Sequence, residues 1–91
     1  MPNNLSSYNK YFVHDFLNHY QEVEAASEGH AAEIFTKQPV NARLFNETGF
    51  KLIVCKFTDE LKHMLDNEKD SQEQLRILEE QGERPLYFDY E

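Results

Sequence analysis

Phe50-Lys51-Leu52-Ile53-Val54-Cys55-Lys56-Phe57 is the stretch on which the architecture turns. It is β-branched and aromatic over a strand's length, and largely apolar on both faces, as suits a strand inside a sheet. The same positions also fit a helix. Phe50, Ile53, Val54, Phe57, Leu61, Met64 and Leu65 recur at helical spacing, and one helix over about 50–66 would make the chain an all-α bundle. Thr58-Asp59-Glu60 favours the strand, because an N-cap hydroxyl followed by two acids marks a helix that begins only there.

Upstream, Asn46-Glu47-Thr48-Gly49 suits a turn closing a β-hairpin, about 41–45 paired with 50–57. Before that, His30 to Lys37 reads as a short helix ended by Pro39. At the N-terminus, Tyr8, Phe12, Phe16, Tyr20 and Val23 recur at steps of three or four, joined by Val13 and Leu17. This predicts an aromatic helix over about 7–27, capped by Ser7 and stopped at Gly29. Residues 1–6 are polar and expected to fray.

Downstream, a helix over about 59–67 is interrupted at Asn67-Glu68-Lys69-Asp70, and another follows over about 71–81. Ser71 with Gln74, or Asp70 with Glu73, has capping-box spacing. Gly82 stands where a left-handed residue would end that helix. Leu86-Tyr87-Phe88-Asp89-Tyr90 reads as a final strand. The expected fold is therefore α+β: an aromatic N-terminal helix, a β-hairpin, an acidic helical pair and a short C-terminal strand. Ninety-one residues make a single small domain.

Charge narrows the function. Nine basic residues against seventeen acidic ones give a net charge of −8, which argues against direct nucleic-acid binding and against an anionic membrane surface. One cysteine excludes an internal disulfide framework. No apolar run approaches a membrane span, and the opening residues lack the basic and apolar regions of a signal peptide. The expected compartment is the cytoplasm, or a host's cytoplasm for a viral protein.

The imbalance is local. Residues 59–83 hold nine acids (Asp59, Glu60, Asp66, Glu68, Asp70, Glu73, Glu79, Glu80, Glu83) and three bases, whereas residues 1–58 hold six acids and five bases. On an unbroken helix Asp59, Asp66, Asp70 and Glu73 would lie within about 60° of one another, and carboxylates four residues apart repeat every 6 Å or so, a spacing comparable to backbone phosphates. Amphipathic helices also turn charge outward merely for solubility. Yet crowding like charges costs stability, so folding alone does not call for this density.

Catalytic constellations are sparse. His14 and His19 are about 140° apart on a helix, a poor metal pair, and Asp15 with His19 reads as an i,i+4 contact. His30 and His63 carry no ligand signature. Cys55 sits in an apolar run, where a thiol is a small buried side chain rather than a nucleophile. Glu24/Glu28 and Glu80/Glu83 do not amount to the paired acidic motifs of a metal hydrolase, and the three glycines form no phosphate cradle. No cofactor is expected.

These features predict a non-enzymatic acidic inhibitor or regulator that presents carboxylate-rich helices to a basic, nucleic-acid-handling protein. DNA mimics and anti-defence proteins of phages share this size and charge, although no motif assigns a family. Asp59, Asp66, Asp70, Glu73 and Glu80 would carry the contact. The alternative is an immunity protein or antitoxin anchored by Tyr87 and Tyr90, since exposed aromatics dominate interface energy. A small acid-based metal hydrolase ranks below both, and a homodimer through the first helix is a further expectation.

Overall fold

The computed structural model describes residues 8–38 and 50–90. Where a helix is expected over 7–27, the described residues form two strands, β1 (Asn9–His14) and β2 (Gln21–Ala25), paired antiparallel with Tyr11 opposite Val23. The aromatic helix expected over 7–27 is therefore corrected, and with it the surface for a homodimer through that helix. The cause is burial on both sides. Tyr11 and Val13 face one core, while Phe12 and His14 face the other. An apolar run with no polar side contains helical spacing by default.

What breaks the helical reading is Asp15. Its Oδ1 accepts from the backbone N–H of Leu17 at 2.9 Å and of Asn18 at 2.6 Å, and its Oδ2 accepts from the Asn18 amide at 2.9 Å. This is an Asx turn, and it holds Phe16 at φ 71°. Asp15 thus caps a turn instead of pairing with His19.

Helix α1 (Glu28–Lys37) starts two residues before the expected helix. The Ser27 hydroxyl accepts from His30 N–H at 3.2 Å, Glu28 lies in the first turn, and Lys37 pairs with Glu33 in the last. Gly29 does not stop a helix but lies inside this one. The helix closes at Gln38, whose ψ of 141° is the extended value favoured before proline.

Strand β3 (Phe50–Lys56) settles the deciding stretch as a strand, which excludes the all-α bundle. Thr58 then caps α2 (Asp59–Asp66), its hydroxyl accepting from Leu61 N–H at 3.1 Å. Asp70 caps α3 (Ser71–Gln81), and β4 (Leu86–Tyr90) follows. The sheet is antiparallel throughout, in the order β2-β1-β3-β4. The strand expected at 41–45 and the turn at 46–49 lie outside the described residues, as does Ser7. The sheet neighbours of β3 are β1 and β4.

The elements form three layers. On one face of the sheet α1 buries Ala31, Ala32 and Phe35 against Tyr11, Val13, Val23, Leu52 and Val54. On the other, α2 and α3 bury Leu61, Leu65, Leu75 and Leu78 against Phe12, Ile53 and Cys55. Gly82 is not left-handed (φ −67°); a Cβ there would lie 2.3 Å from the Leu78 carbonyl oxygen and 2.7 Å from Cys55 Sγ. Glycine is needed because α3 ends directly against β3, and the positive φ falls instead on Arg84 (51°). Among the described residues, no helix is long and apolar enough to cross a membrane.

Candidate functional site

The acidic segment 59–83 becomes the outer layer on the α2–α3 side of the sheet. Leucines turn inward, so the carboxylates of both helices are directed to solvent or to the layer's rim. The break at 67–70 divides them: Asp59 and Asp66 ride on α2, Glu73 and Glu80 on α3, and Asp70 starts α3. One continuous row on a single helix is thus replaced by two shorter ones.

Each acid has a distinct setting. Asp59 and Glu60 occupy the first turn of α2, where they complement the helix dipole. Among the described residues neither has an ion pair. Asp66 accepts from the Tyr20 hydroxyl at 2.9 Å and lies 3.4 Å from Lys62 Nζ. Lys62 also bonds Glu22 on β2, and the bonds to Glu22 and to the Tyr20 hydroxyl raise its pKa above the ordinary lysine value. Burial and the bond to Asp66 raise the Tyr20 pKa as well. Asp70 accepts from Gln72 N–H as a cap. Glu73 and Glu80 flank Arg76 at 3.6 and 3.9 Å, all three side chains exposed. Asp66 is therefore tied into the fold, while Glu73, Glu80 and Asp59 stand on the open surface.

The two tyrosines do not share a surface. Tyr87 and Tyr90 are three residues apart on a strand, so they point to opposite faces. Tyr90 stacks on Phe50 (centroids 4.7 Å apart, planes at 4°) beside the α1 core. Tyr87 is 55% exposed on the α2–α3 side, its ring 6.4 Å from Phe16. Burial and neighbouring Glu79 raise its pKa.

The β1–β2 turn adds residues that sequence reasoning assigns to a core. Leu17 is 65% exposed. The turn is strapped to α3: the Gln72 side-chain amide donates to Phe16 O at 3.0 Å, and the Ser71 hydroxyl to Leu17 O at 3.3 Å. Beneath it, the buried Gln74 amide accepts from Tyr20 N–H and pairs with His19 Nδ1, both at 3.2 Å, and donates to Glu68 O at 2.8 Å. Asp15-Phe16-Leu17-Asn18 carries the signal for this turn, since Asx chemistry at both ends outweighs the helical period.

His14 is fully buried between these parts. Its Nδ1 accepts from Phe16 N–H at 2.9 Å and its Nε2 donates to Ser71 O at 2.8 Å, which fixes the neutral Nε2–H tautomer. Burial is the main cause lowering its pKa. His30 serves the start of α1, its Nδ1 accepting from Ala26 N–H at 3.0 Å, and His63 is exposed beside Asn67. Among the described residues no three His, Cys, Asp or Glu side chains group as a metal site. Burial pushes the Cys55 thiol up to about 12, so a thiolate is not formed at neutral pH. What the surface offers is a carboxylate-rich layer bordered by the exposed apolar side chains Leu17 and Tyr87. Compared with protein-family models, with curated proteins and with solved structures, the chain matches none.

Proposed function

We propose that the protein is a non-catalytic inhibitor or regulator whose α2–α3 layer docks on a basic, nucleic-acid-handling protein, in the manner of a DNA mimic. The observation that supports this reading is that α2 and α3, which carry Asp59, Glu60, Asp66, Glu73, Glu79 and Glu80 with Asp70 as a cap, pack on the same side of the sheet. A carboxylate surface of this kind steers a basic partner into encounter and occludes the site that the partner uses for phosphates. Asp59, Glu73 and Glu80 are the contacts proposed first, because neither a cap nor a buried hydrogen bond occupies them.

The test is affinity capture from the native host at low and high salt, followed by titration of the captured protein with purified variants. Asp59→Asn combined with Glu73→Gln and Glu80→Gln should weaken binding about tenfold or more, equivalent to about 1.4 kcal/mol. It should also flatten the dependence of affinity on salt. Unchanged affinity and slope would remove the electrostatic mechanism.

The exposure of Leu17 and Tyr87 favours a second reading, an immunity-type contact in which apolar anchors dominate. Tyr87→Ala or Leu17→Ala would then cost more affinity than the triple neutralisation, and salt would have little effect.

A further inference from the structure

We propose that the outer edge of β4 pairs antiparallel with β4 of a second copy of this chain, making an eight-stranded sheet across a two-fold axis. Among the described residues the sheet has two edges, β2 and β4, and they differ in chemistry. β2 (Gln21-Glu22-Val23-Glu24-Ala25) alternates charge; self-pairing centred on Val23 would set Glu22 directly against Glu24 of the other copy. Like charges opposite one another destabilise a ladder, and an edge built this way is protected against pairing.

β4 carries none of these devices. It has no lysine, no proline and no bulge, and its only charge, Asp89, lies opposite Lys51 of its own β3. Leu86 (46% exposed) and Tyr87 present apolar surface on opposite faces of the strand, and no described strand pairs with its outer side.

The strand is also self-complementary in one register. Only registers that match faces are allowed, since a one-residue slip opposes an apolar face to a polar one. Centred on Phe88, the pairing sets Phe88 against itself, Leu86 against Tyr90, and Tyr87 against Asp89. Centred on Asp89, it would oppose two carboxylates; centred on Tyr87, it would run Pro85 against Asp89. The Phe88 register uses all five residues and opposes no like charges.

An antiparallel edge pair has its two-fold axis perpendicular to the sheet, so both α2–α3 layers emerge on the same side. The dimer would double the acidic surface without covering it. Five residues per strand make a small interface, so association is concentration-dependent rather than obligate.

Sedimentation velocity on the full chain from about 10 μM to about 1 mM should show a shift from one chain to two, as mass action requires. Leu86→Lys, an exposed substitution that places a charge on the edge, should hold the protein at one chain with an unchanged circular dichroism spectrum. Tyr87→Cys together with Asp89→Cys should give a disulfide-linked dimer under mild oxidation, whereas either change alone should not, because like positions sit diagonally at about 7–8 Å. A monomer at every concentration overturns the proposal. So does a dimer that survives Leu86→Lys, or one in which the paired cysteines fail to cross-link.

Discussion

Replacing His14 by leucine should cost far more than a surface histidine would. The ring is fully buried and uses both nitrogens: Phe16 N–H donates to Nδ1 and Nε2–H donates to Ser71 O. Leucine keeps the apolar contacts but leaves a backbone donor and a backbone acceptor without their partner. At about 1–3 kcal/mol for each buried group left unsatisfied, and with partial access of water to the turn, the loss should be about 2–4 kcal/mol. Urea unfolding at pH 7.5, followed by circular dichroism, measures it.

The same residue gives a pH signature. Burial lowers its pKa below the ordinary 6.5, helped by His19, while the Ser71 carbonyl, Asp15 and Glu79 act in the opposite direction. The unfolded chain therefore binds a proton at a higher pH than the folded one, and stability falls as pH drops below about 6.5. A proton on Nδ1 would also set one donor against another at Phe16. His14→Leu lacks this titration, so the stability gap between the native protein and the variant should narrow from pH 7 to pH 5. A loss below about 1 kcal/mol at pH 7.5, or a gap that does not narrow, would refute the assigned tautomer and its bonds.

Gly82→Ala should destabilise by about 1–3 kcal/mol in the same assay, because its Cβ would overlap the Leu78 carbonyl oxygen and press on Cys55 Sγ. A neutral effect would mean that the end of α3 can retreat from β3. Cys55 should not react with a thiol reagent at pH 8 until the chain unfolds, since burial holds its pKa near 12. Labelling of the native protein faster than its unfolding would show that the α2–α3 layer opens locally.

The C-terminal half of the fold is legible in the sequence because its signals are local. Thr58 and Asp70 mark helix starts through hydroxyl and carboxylate caps, and the expected spans 71–81 and 86–90 match α3 and β4. The N-terminal half misleads because β1 is an inner strand. Tyr11, Phe12, Val13 and His14 are all buried, so the run has no polar face to reveal a period of two. Only β2 shows that alternation, with Val23 and Ala25 inward and Glu22 and Glu24 outward. The concentration of acids is equally plain in sequence, but their individual engagements are not. Asp66 meets Tyr20 across 46 residues and Lys62 meets Glu22 across 40, contacts fixed only once α2 lies on the sheet. The opposition of Tyr87 and Tyr90, by contrast, follows from strand geometry alone.

These engagements bear directly on how much of the negative charge a partner could use. Arg76 sits between Glu73 and Glu80, yet all three side chains are exposed and the distances are long, 3.6 and 3.9 Å. Exposed pairs of this kind are worth about 0–1 kcal/mol, so a basic partner could take over either carboxylate at little cost. Asp70 differs, because drawing it away would uncap α3, a loss of about 1 kcal/mol. Asp66 differs again, since its release would free the Tyr20 hydroxyl and the Lys62 contact together. The local net charge therefore divides into acids that hold the layer in place and acids that it displays. Of the second group, Asp59, Glu73 and Glu80 span both helices. An electrostatic contact made through them would leave the caps and the sheet-side bonds intact, so the partner could bind and leave without loosening the fold.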